Sequence, residues 1–389
     1  MGLRTIIDAY LDVNMLLALS LGLWFIARRV MIGLGLRHAF STQLRLLSAV
    51  FLATLISPAL AAILTTIAAT SPMAGQYSLN LSDFVTAQYL SGSIEMTASN
   101  FENAIGFRAR VLSGIQYMDT TLGVTLVALF FGGFAIATLR LALGLYRLRT
   151  ILGQSTIWRR FAGLELRVSD TVAIPFSTRT LRRRIIVVPS SLLASPGDLK
   201  MALAHEFQHL RQHDLEWEIA LELLKPLFFW NPAFHAWKRK FEVLRELTCD
   251  QNVVAHQSGI DAASYCQSLL NICDNALRPA RVFAVEVPRV ALVETRAPLI
   301  GRGSASLLRQ RLTSLMDGNH ERVPRLVFVM VLAPMLLATL LGSAAIRPAG
   351  GWSYDRLMLS TIVNLERLAA RNSVVSPQGV NTFNTRLLR

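Results

Sequence analysis

The chain has 389 residues, of which 52% are hydrophobic and only 16% are charged. Soluble domains typically carry about 25% charged residues, so this composition indicates a membrane protein. The high apolar content also excludes a disordered chain, and the length with only three cysteines excludes a small disulfide-stapled module. Lys and Arg exceed Asp and Glu by 39 − 25 = 14 charges. In so apolar a chain this surplus indicates positive charge held beside a bilayer, and we expect no direct nucleic-acid partner. The three cysteines form no C-x-x-C pair, which is typical of reduced thiols packed as small apolar residues.

Four segments are apolar and long enough to cross a membrane as helices. They lie at approximately 14–36, 46–69, 121–146 and 325–346. The second has 24 uncharged residues, about 36 Å as a helix, which exceeds the roughly 30 Å hydrocarbon core of a bilayer. The first includes Arg28 and Arg29, which we expect to snorkel or to lie at its boundary. The sequence therefore predicts transmembrane helices 1 and 2 within 1–69, helix 3 at 121–146 and helix 4 at 325–346.

The distribution of arginine predicts the orientation of these spans. Arginines follow the first and third spans, whereas the segment 70–120 has Arg108 and Arg110 against four acidic residues. Because Lys and Arg are retained on the cytoplasmic side, we expect both termini and the 70–120 loop to be extracytoplasmic. The segment 147–324 is then cytoplasmic, and 347–389 is a short extracytoplasmic tail. The expected location is the bacterial inner membrane, with several passes.

The cytoplasmic segment 147–324 is expected to form one α+β domain. Short β-branched runs predict strands at 164–168, 171–176 and 184–189, and apolar periodicity predicts helices at 196–212, 216–229, 232–257 and 261–276. The stretch 278–304 mixes Pro, Gly and Arg without periodicity, which predicts a loop or a linker back to the membrane.

The first of these predicted helices, 196–212, contains the sequence H-E-x-x-H from His205 to His209. Residues four apart lie on one face of a helix, so both imidazoles can bind one metal ion, with Glu206 as general base for water. Zinc fits a site of imidazole and carboxylate ligands with one open position. The alternative is an amphipathic helix with solvated His and Glu side chains.

A third metal ligand is expected further along the chain. Glu246 and Asp250 are spaced four apart on a predicted helix, so Glu246 can complete the site while Asp250 hydrogen-bonds a ligating imidazole. The alternative is a solvated acidic pair balanced by nearby basic residues. His213 is a rival ligand, but on a continuing helix it lies eight residues past His205, about 12 Å along the axis.

Together these motifs resemble the membrane-embedded gluzincin peptidases of the BlaR/MecR-type β-lactam sensor-transducers. The resemblance covers roughly residues 1–346 and includes Asn231-Pro232, the Glu246-Leu-Thr-Cys-Asp250 run, Pro175-Phe176 followed by R-I-I-V-V-P, the His209-x4-Asp214 spacing and R-Q-R-L at 309–312. It implies an α-helical membrane protein with four transmembrane helices and a cytoplasmic α+β gluzincin-like zinc peptidase domain. It further implies one Zn²⁺ on His205, His209 and Glu246, with Glu206 as base and Asp250 behind the ligands.

One departure from that family concerns β-lactam sensing. About 43 residues follow Ile346, and the last lysine is Lys240, so no S-x-x-K motif follows the fourth span. We therefore expect this chain to lack the C-terminal penicillin-binding sensor domain and to bind no β-lactam covalently.

The expected function is that of a membrane-integrated zinc endopeptidase that transduces a signal. Its partners would be the lipid bilayer and a protein substrate: a cytoplasmic transcriptional repressor or the chain itself, cut within 278–304. The 70–120 loop is either the receiver of the signal or a passive connector. The R-I-I-V-V-P strand either holds an extended substrate along a free sheet edge or is an ordinary core strand.

Two other functions are compatible with the motifs. One is an HtpX-type quality-control membrane peptidase, against which the Asn231-Pro232 pair and the E-L-T-C-D run favour the sensor-transducer family. The other is a non-enzymatic membrane receptor or channel with a structural zinc, against which the intact Glu206 argues.

Overall fold

A computed structural model describes residues 3–69, 81–118, 120–180, 183–256, 261–277, 302–317, 324–346 and residue 365. Within these ranges the chain is mostly helical, with one four-stranded sheet. The helices are α1 Leu3–Gly33, α2 Phe40–Ala69, α3 Leu81–Leu90, α4 Ala98–Tyr117, α5 Thr121–Gln154, α6 Pro196–Arg211, α7 Asp214–Leu224, α8 Pro232–His256, α9 Ala262–Leu277, α10 Arg302–Met316 and α11 Arg325–Ala345. The strands are β1 Thr156–Phe161, β2 Leu164–Ser169, β3 Phe176–Arg179 and β4 Arg184–Pro189, and a short 3-10 helix covers Ser190–Ala194.

The chain divides into two compact units. The first contains Met1–Leu16, Ala53–Val127 and Leu337–Arg389, and the second contains Leu17–Leu52 and Ala128–Leu336. Every strand, and every helix from α6 to α10, belongs to the second unit.

Four of the described helices are long and apolar enough to cross a membrane: Ile6–Gly33, Phe40–Ile63, Thr121–Gln154 and Arg325–Ala345. The four segments predicted to span fall within or overlap these helices, so the prediction of a multi-pass membrane protein agrees with the structure. The first helix begins at Leu3, well before the predicted start near residue 14. The third continues to Gln154 and is about 51 Å long, which exceeds the thickness of the hydrocarbon core.

The end of α5 belongs to the core of the second unit. Leu148, Ile151 and Leu152 pack with Phe176 and Val187 against one face of the sheet. This packing explains why α5 continues past the predicted boundary at residue 146: its last turns bury apolar side chains in protein.

The sheet has the order β1-β2-β4-β3, with β2 and β4 parallel and the two outer pairs antiparallel. The β4 strand is hydrogen-bonded on both sides, and Ile186, Val187 and Val188 have no exposed surface. The prediction that R-I-I-V-V-P offers a free edge to a substrate is therefore wrong, and the core-strand alternative is correct.

Two strands differ from the sequence prediction. The strand expected at 171–176 begins only at Phe176 and continues to Arg179; Pro175, which precedes it, has no N–H to donate to a ladder. The β1 strand was not predicted because its sequence, TIWRRF, lacks apolar alternation, and all six of its residues are exposed.

Helix α6 crosses the other face of the sheet. Ala202 and Leu210 of this helix pack with Leu166, Ile186 and Val188. The helix ends at Arg211, and His213 has a left-handed backbone with φ of 60° before α7 starts at Asp214. The prediction of a helix that continues through His213 is therefore wrong.

Helix α8 connects the sheet domain to the membrane helices of the same unit. It begins at Pro232, where the Asn231 side-chain oxygen accepts a hydrogen bond from the Ala233 N–H at 2.9 Å, an N-terminal cap. The buried Trp237 indole N–H donates to the Leu17 carbonyl of α1 at 3.2 Å. Its ring also lies 5.7 Å from that of Phe51 in α2, so the helix that bears Glu246 is packed directly against two membrane-length helices.

The segment 70–120, predicted to be a loop, contains two helices in its described part, and both belong to the first unit. Tyr89 of α3 stacks on Phe101 of α4 with ring centroids 3.9 Å apart. Arg108 of α4 pairs with Asp8 and Asp12 of α1 at 2.8 and 2.9 Å. The segment therefore packs on itself through aromatic side chains and is joined to the start of α1 by the Arg108 ion pairs.

Candidate metal centre

Helix α6 brings the two motif histidines together. His205 and His209 lie one helical turn apart, and their Nε2 atoms are 3.1 Å from each other. The side chain of His205 is 12% exposed and that of His209 is 2% exposed. The alternative of solvated histidines on an amphipathic helix is therefore wrong.

The Nδ1 atoms of both imidazoles face other groups. His209 Nδ1 is 2.7 Å from Asp214 Oδ2, and His205 Nδ1 is 2.8 Å from the Tyr265 hydroxyl oxygen and 3.3 Å from Asp250 Oδ1. With these acceptors, the proton of each neutral imidazole belongs on Nδ1, which leaves a lone pair on each Nε2. Two lone pairs 3.1 Å apart repel one another unless a cation lies between them. The pair therefore fits a bound metal ion.

Glu246 of α8 is the third group at this point. Its Oε2 is 3.5 Å from His205 Nε2 and its Oε1 is 3.6 Å from His209 Nε2. Ligand atoms about 2.0–2.1 Å from a tetrahedral zinc lie about 3.3 Å from each other, so these separations fit one ion. Glu246 is 14% exposed and Asp250 is fully buried, so the alternative of a solvated acidic pair is wrong.

Cys249 is a second candidate for the third ligand, and the sequence reasoning missed it. His205, His209 and Cys249 offer donor atoms that all lie within 4.8 Å of one another. The Cys249 sulfur is fully buried, 3.5 Å from His205 Nδ1 and 3.4 Å from the His205 carbonyl oxygen. It therefore lies beside the nitrogen of His205 that faces Tyr265, whereas Glu246 faces the two Nε2 atoms. The signal was its position three residues after Glu246, on the same helical face.

A buried network surrounds the three predicted ligands. Asp250 accepts two hydrogen bonds from the Arg311 guanidinium at 2.6 and 2.7 Å and one from the Tyr265 hydroxyl at 2.8 Å. Arg311 Nη1 is also 3.2 Å from Glu246 Oε2. Asp250 Oδ1 thus lies 3.3 Å from His205 Nδ1, and most of the hydrogen bonds to Asp250 come from Arg311 and Tyr265. Their positions here were not predicted, since they reside on α10 and α9.

The charges of the site alter the pKa of Asp250, Glu246 and His209. Burial raises the pKa of Asp250, but the Arg311 guanidinium and His205 outweigh burial and lower this pKa to about 2. Burial likewise opposes ionisation of Glu246, yet hydrogen bonding to His205 and the charges of His209 and Arg311 hold its pKa well below the usual range. Burial lowers the pKa of His209, but Cys249, Asp214 and Glu246 outweigh it and raise this pKa to about 10. The site therefore favours a cation on the imidazole pair, either a proton or a metal ion.

Glu206 lies next to the ligand set. It is 6% exposed, and its Oε2 atom is buried without a hydrogen-bond partner among the described residues. It lines a cavity of about 60 Å³, which is large enough to hold water. The cavity lining also includes His205, His209, Glu246 and, from the start of β3, Phe176. Glu206 therefore shares a cavity with three groups that could bind a metal ion, a position suited to accepting a proton from water held there.

The sequence itself matches a known family. The family model of the BlaR1 peptidase M56 family matches residues 30–302, which is 273 of the 389 residues. The chain belongs to this family. No curated protein matches the chain. Membership implies a membrane metallopeptidase, and M56 metallopeptidases depend on a metal ion.

The remaining histidine considered as a ligand lies outside the centre of this M56 peptidase. The side chain of His213 is 66% exposed, and its Nδ1 is 3.6 Å from the Glu216 carboxylate. His213 is therefore a surface residue, because the chain turns at the end of α6 and the helix does not continue through it.

Proposed function

We propose that this M56 peptidase is a zinc-dependent membrane endopeptidase of the gluzincin type, with His205, His209 and Glu246 as zinc ligands. The observation that carries the proposal is the unpartnered oxygen of Glu206 beside three converging donor groups. A non-enzymatic receptor with a structural zinc would not require a further buried carboxylate in the same cavity as the donor groups.

The side chains of the site divide the chemistry of peptide hydrolysis between them. A bound zinc ion supplies Lewis-acid polarisation of the scissile carbonyl and lowers the pKa of water. The Glu206 carboxylate takes the proton of the attacking water and passes it to the leaving amine. Asp214 accepts a hydrogen bond from the Nδ1–H of His209, and the Tyr265 oxygen accepts one from the Nδ1–H of His205. These bonds keep both Nε2 lone pairs on the cavity side.

The edge strand β3 is the proposed binding position for the substrate. Within the described residues β3 is paired on one side only, with β4, and Ile174, Pro175 and Phe176 at its start line the cavity. An extended peptide that adds to this edge would bring its backbone to Glu206. We therefore propose substrate binding, which the sequence analysis considered for β4, as the role of the edge strand β3.

For the arrangement in the membrane we propose that 1–69 holds transmembrane helices 1 and 2, with 121–146 and 325–346 as helices 3 and 4. The peptidase domain, 147–324, is cytoplasmic in the bacterial inner membrane, and 70–120 and 347–389 are extracytoplasmic. The arginine distribution supports this orientation.

The proposed role is signal transduction by cleavage of a cytoplasmic regulator or of the chain itself. Membership in the M56 family and the ion pairs between Arg108 of α4 and the start of α1 support a receiver outside the membrane. The stretch 278–304, proposed as a self-cleavage site, lies largely outside the described residues.

The test of the enzymatic role is Glu206→Gln, with Glu216→Gln on the domain surface as the matched control. Both purified variants are expected to bind about one zinc per chain, because Glu206 is not a ligand. Cleavage of reconstituted protein substrates, and of the chain itself, should fall about 10²–10⁴-fold in Glu206→Gln only. Full activity of Glu206→Gln would refute the role of Glu206. Broad degradation of unfolded casein by the wild type, with no preferred cut, would favour quality control over signalling.

A further inference from the structure

Arg311 of α10 contacts two buried carboxylates of the site, Asp250 and Glu246. Its side chain is 4% exposed, and its Nε and Nη2 atoms bind both oxygens of Asp250. Its third nitrogen, Nη1, is 3.2 Å from Glu246 Oε2. One planar guanidinium therefore fixes two buried carboxylates at once, which the single ammonium of a lysine cannot reproduce.

Both carboxylates that Arg311 contacts are connected to His205, one directly and one through Tyr265. Glu246 Oε2 is the oxygen that lies 3.5 Å from His205 Nε2, so the guanidinium holds the third ligand directly. Arg311 also acts through Asp250, which accepts a hydrogen bond from the Tyr265 hydroxyl. The Tyr265 oxygen is in turn 2.8 Å from His205 Nδ1. Two of the three proposed zinc ligands are thus oriented through Arg311.

Arg311 lies on α10, whereas the candidate ligands lie on α6 and α8. Helix α10 packs on α8 and α9 through Leu312 and Leu315, which join the apolar cluster of Cys249, Val253 and Tyr265. It begins 25 residues after the end of α9 and ends nine residues before α11, a membrane-length helix. The position of α10 therefore decides whether Arg311 reaches the carboxylates.

We propose that Arg311 is a positioning residue of the metal centre, and that docking of α10 is required to bring Glu246 and His205 into metal-binding geometry. This inference rests on the proposed function, because it takes Glu246 and His205 as ligands of the metal.

The test compares Arg311→Met, Arg311→Lys and Arg309→Met in the full-length chain purified in detergent. Arg309 is an exposed residue of the same helix, so its variant is the matched control. Each protein is stripped of metal and titrated with Co²⁺, whose visible absorption spectrum reports the coordination geometry. Thermal unfolding in chelator measures the stability of the metal-free fold.

We expect Arg311→Met to bind Co²⁺ about 10–100-fold more weakly than the wild type, with an altered spectrum at saturation. Arg311→Lys keeps the charge but loses the fork, so its spectrum should also change even where its metal-free fold melts like the wild type. Arg309→Met should match the wild type in affinity and spectrum. A purely structural role would lower the melting temperature and leave the saturated spectrum of Arg311→Lys unchanged.

Three results have separate meanings in this experiment. Wild-type affinity and spectrum in Arg311→Lys would overturn the inference, whether or not Arg311→Met folds. Equal effects of Arg309→Met and Arg311→Met would also overturn it. A wild-type chain that binds no Co²⁺ would instead refute the proposed metal site itself.

Discussion

At the scale of single residues, the choice of the third metal ligand depends on which nitrogen of His205 a donor faces. Glu246 and Cys249 are one turn apart on α8 and both are close to the imidazoles. Glu246 points to the Nε2 atoms, where the lone pairs converge, while Cys249 lies beside Nδ1. A metal ion between the two Nε2 atoms is therefore within reach of the carboxylate.

We expect Glu246→Ala to lose the zinc and Cys249→Ser to keep it. Removing the carboxylate leaves two imidazoles, which hold zinc weakly, whereas the serine change leaves all three proposed ligands in place. Elemental analysis of the purified variants measures the metal content. Zinc retained in Glu246→Ala but lost in Cys249→Ser would assign the third position to the cysteine.

Asp214 is the second residue whose role is testable alone. Its Oδ2 accepts a hydrogen bond from His209 Nδ1 at 2.7 Å. Asp214→Asn therefore weakens the preference for the tautomer that leaves the Nε2 lone pair free for a metal. Zinc affinity should fall about 10–100-fold, as measured by competition with a chromophoric chelator. Asp170→Asn, at an exposed loop position, is the control, and an equal loss in both variants would contradict the assignment.

At the scale of helices, α7 and α8 are joined by buried charges. Lys238 is 4% exposed and pairs with Glu222 at 2.9 Å, with Glu218 at 3.6 Å and with Glu242. Burial lowers the pKa of Lys238, but the three carboxylates outweigh burial and raise it. The ammonium thus remains charged and neutralises carboxylates that are themselves buried.

Lys238→Met should destabilise the folded chain by about 3–5 kcal/mol, since it leaves buried carboxylates without their cation. Denaturant unfolding in micelles measures this loss, with Arg239→Met at the next, exposed position as control. Adding Glu222→Gln to Lys238→Met should recover part of the stability. An unchanged unfolding midpoint in Lys238→Met would show that the pairs contribute nothing net.

At the scale of the whole molecule, the proposed orientation separates 81–118 from the peptidase domain by the bilayer. A cysteine introduced at Glu95, an exposed position, should react with a membrane-impermeant maleimide in intact spheroplasts. A cysteine introduced at Arg309 should react only after permeabilisation. The reverse pattern would invert the topology and place the candidate metal centre outside the cytoplasm, while the unmodified chain serves as the background.

The sequence alone identified those features that depend on neighbours along the chain. Apolar runs longer than the bilayer marked the four membrane-length helices, and helical spacing placed His205 beside His209 and Glu246 beside Asp250. Spacing was less reliable for predicting where a helix ends. Helix α6 ends at Arg211 and His213 adopts a left-handed backbone before α7, although no glycine marks this turn in the sequence.

Only the tertiary structure decided which distant side chains meet. The placement of β4 between β2 and β3 removed its free edge, and the packing of α9 and α10 on α8 brought Tyr265 and Arg311 to Asp250. The physical reason is that periodicity fixes the face of one helix, whereas a contact between helices depends on packing across segments far apart in sequence. The candidate ligands and Asp250 can therefore be predicted from spacing in the sequence, whereas the contacts of Tyr265 and Arg311 with Asp250 follow only from the fold.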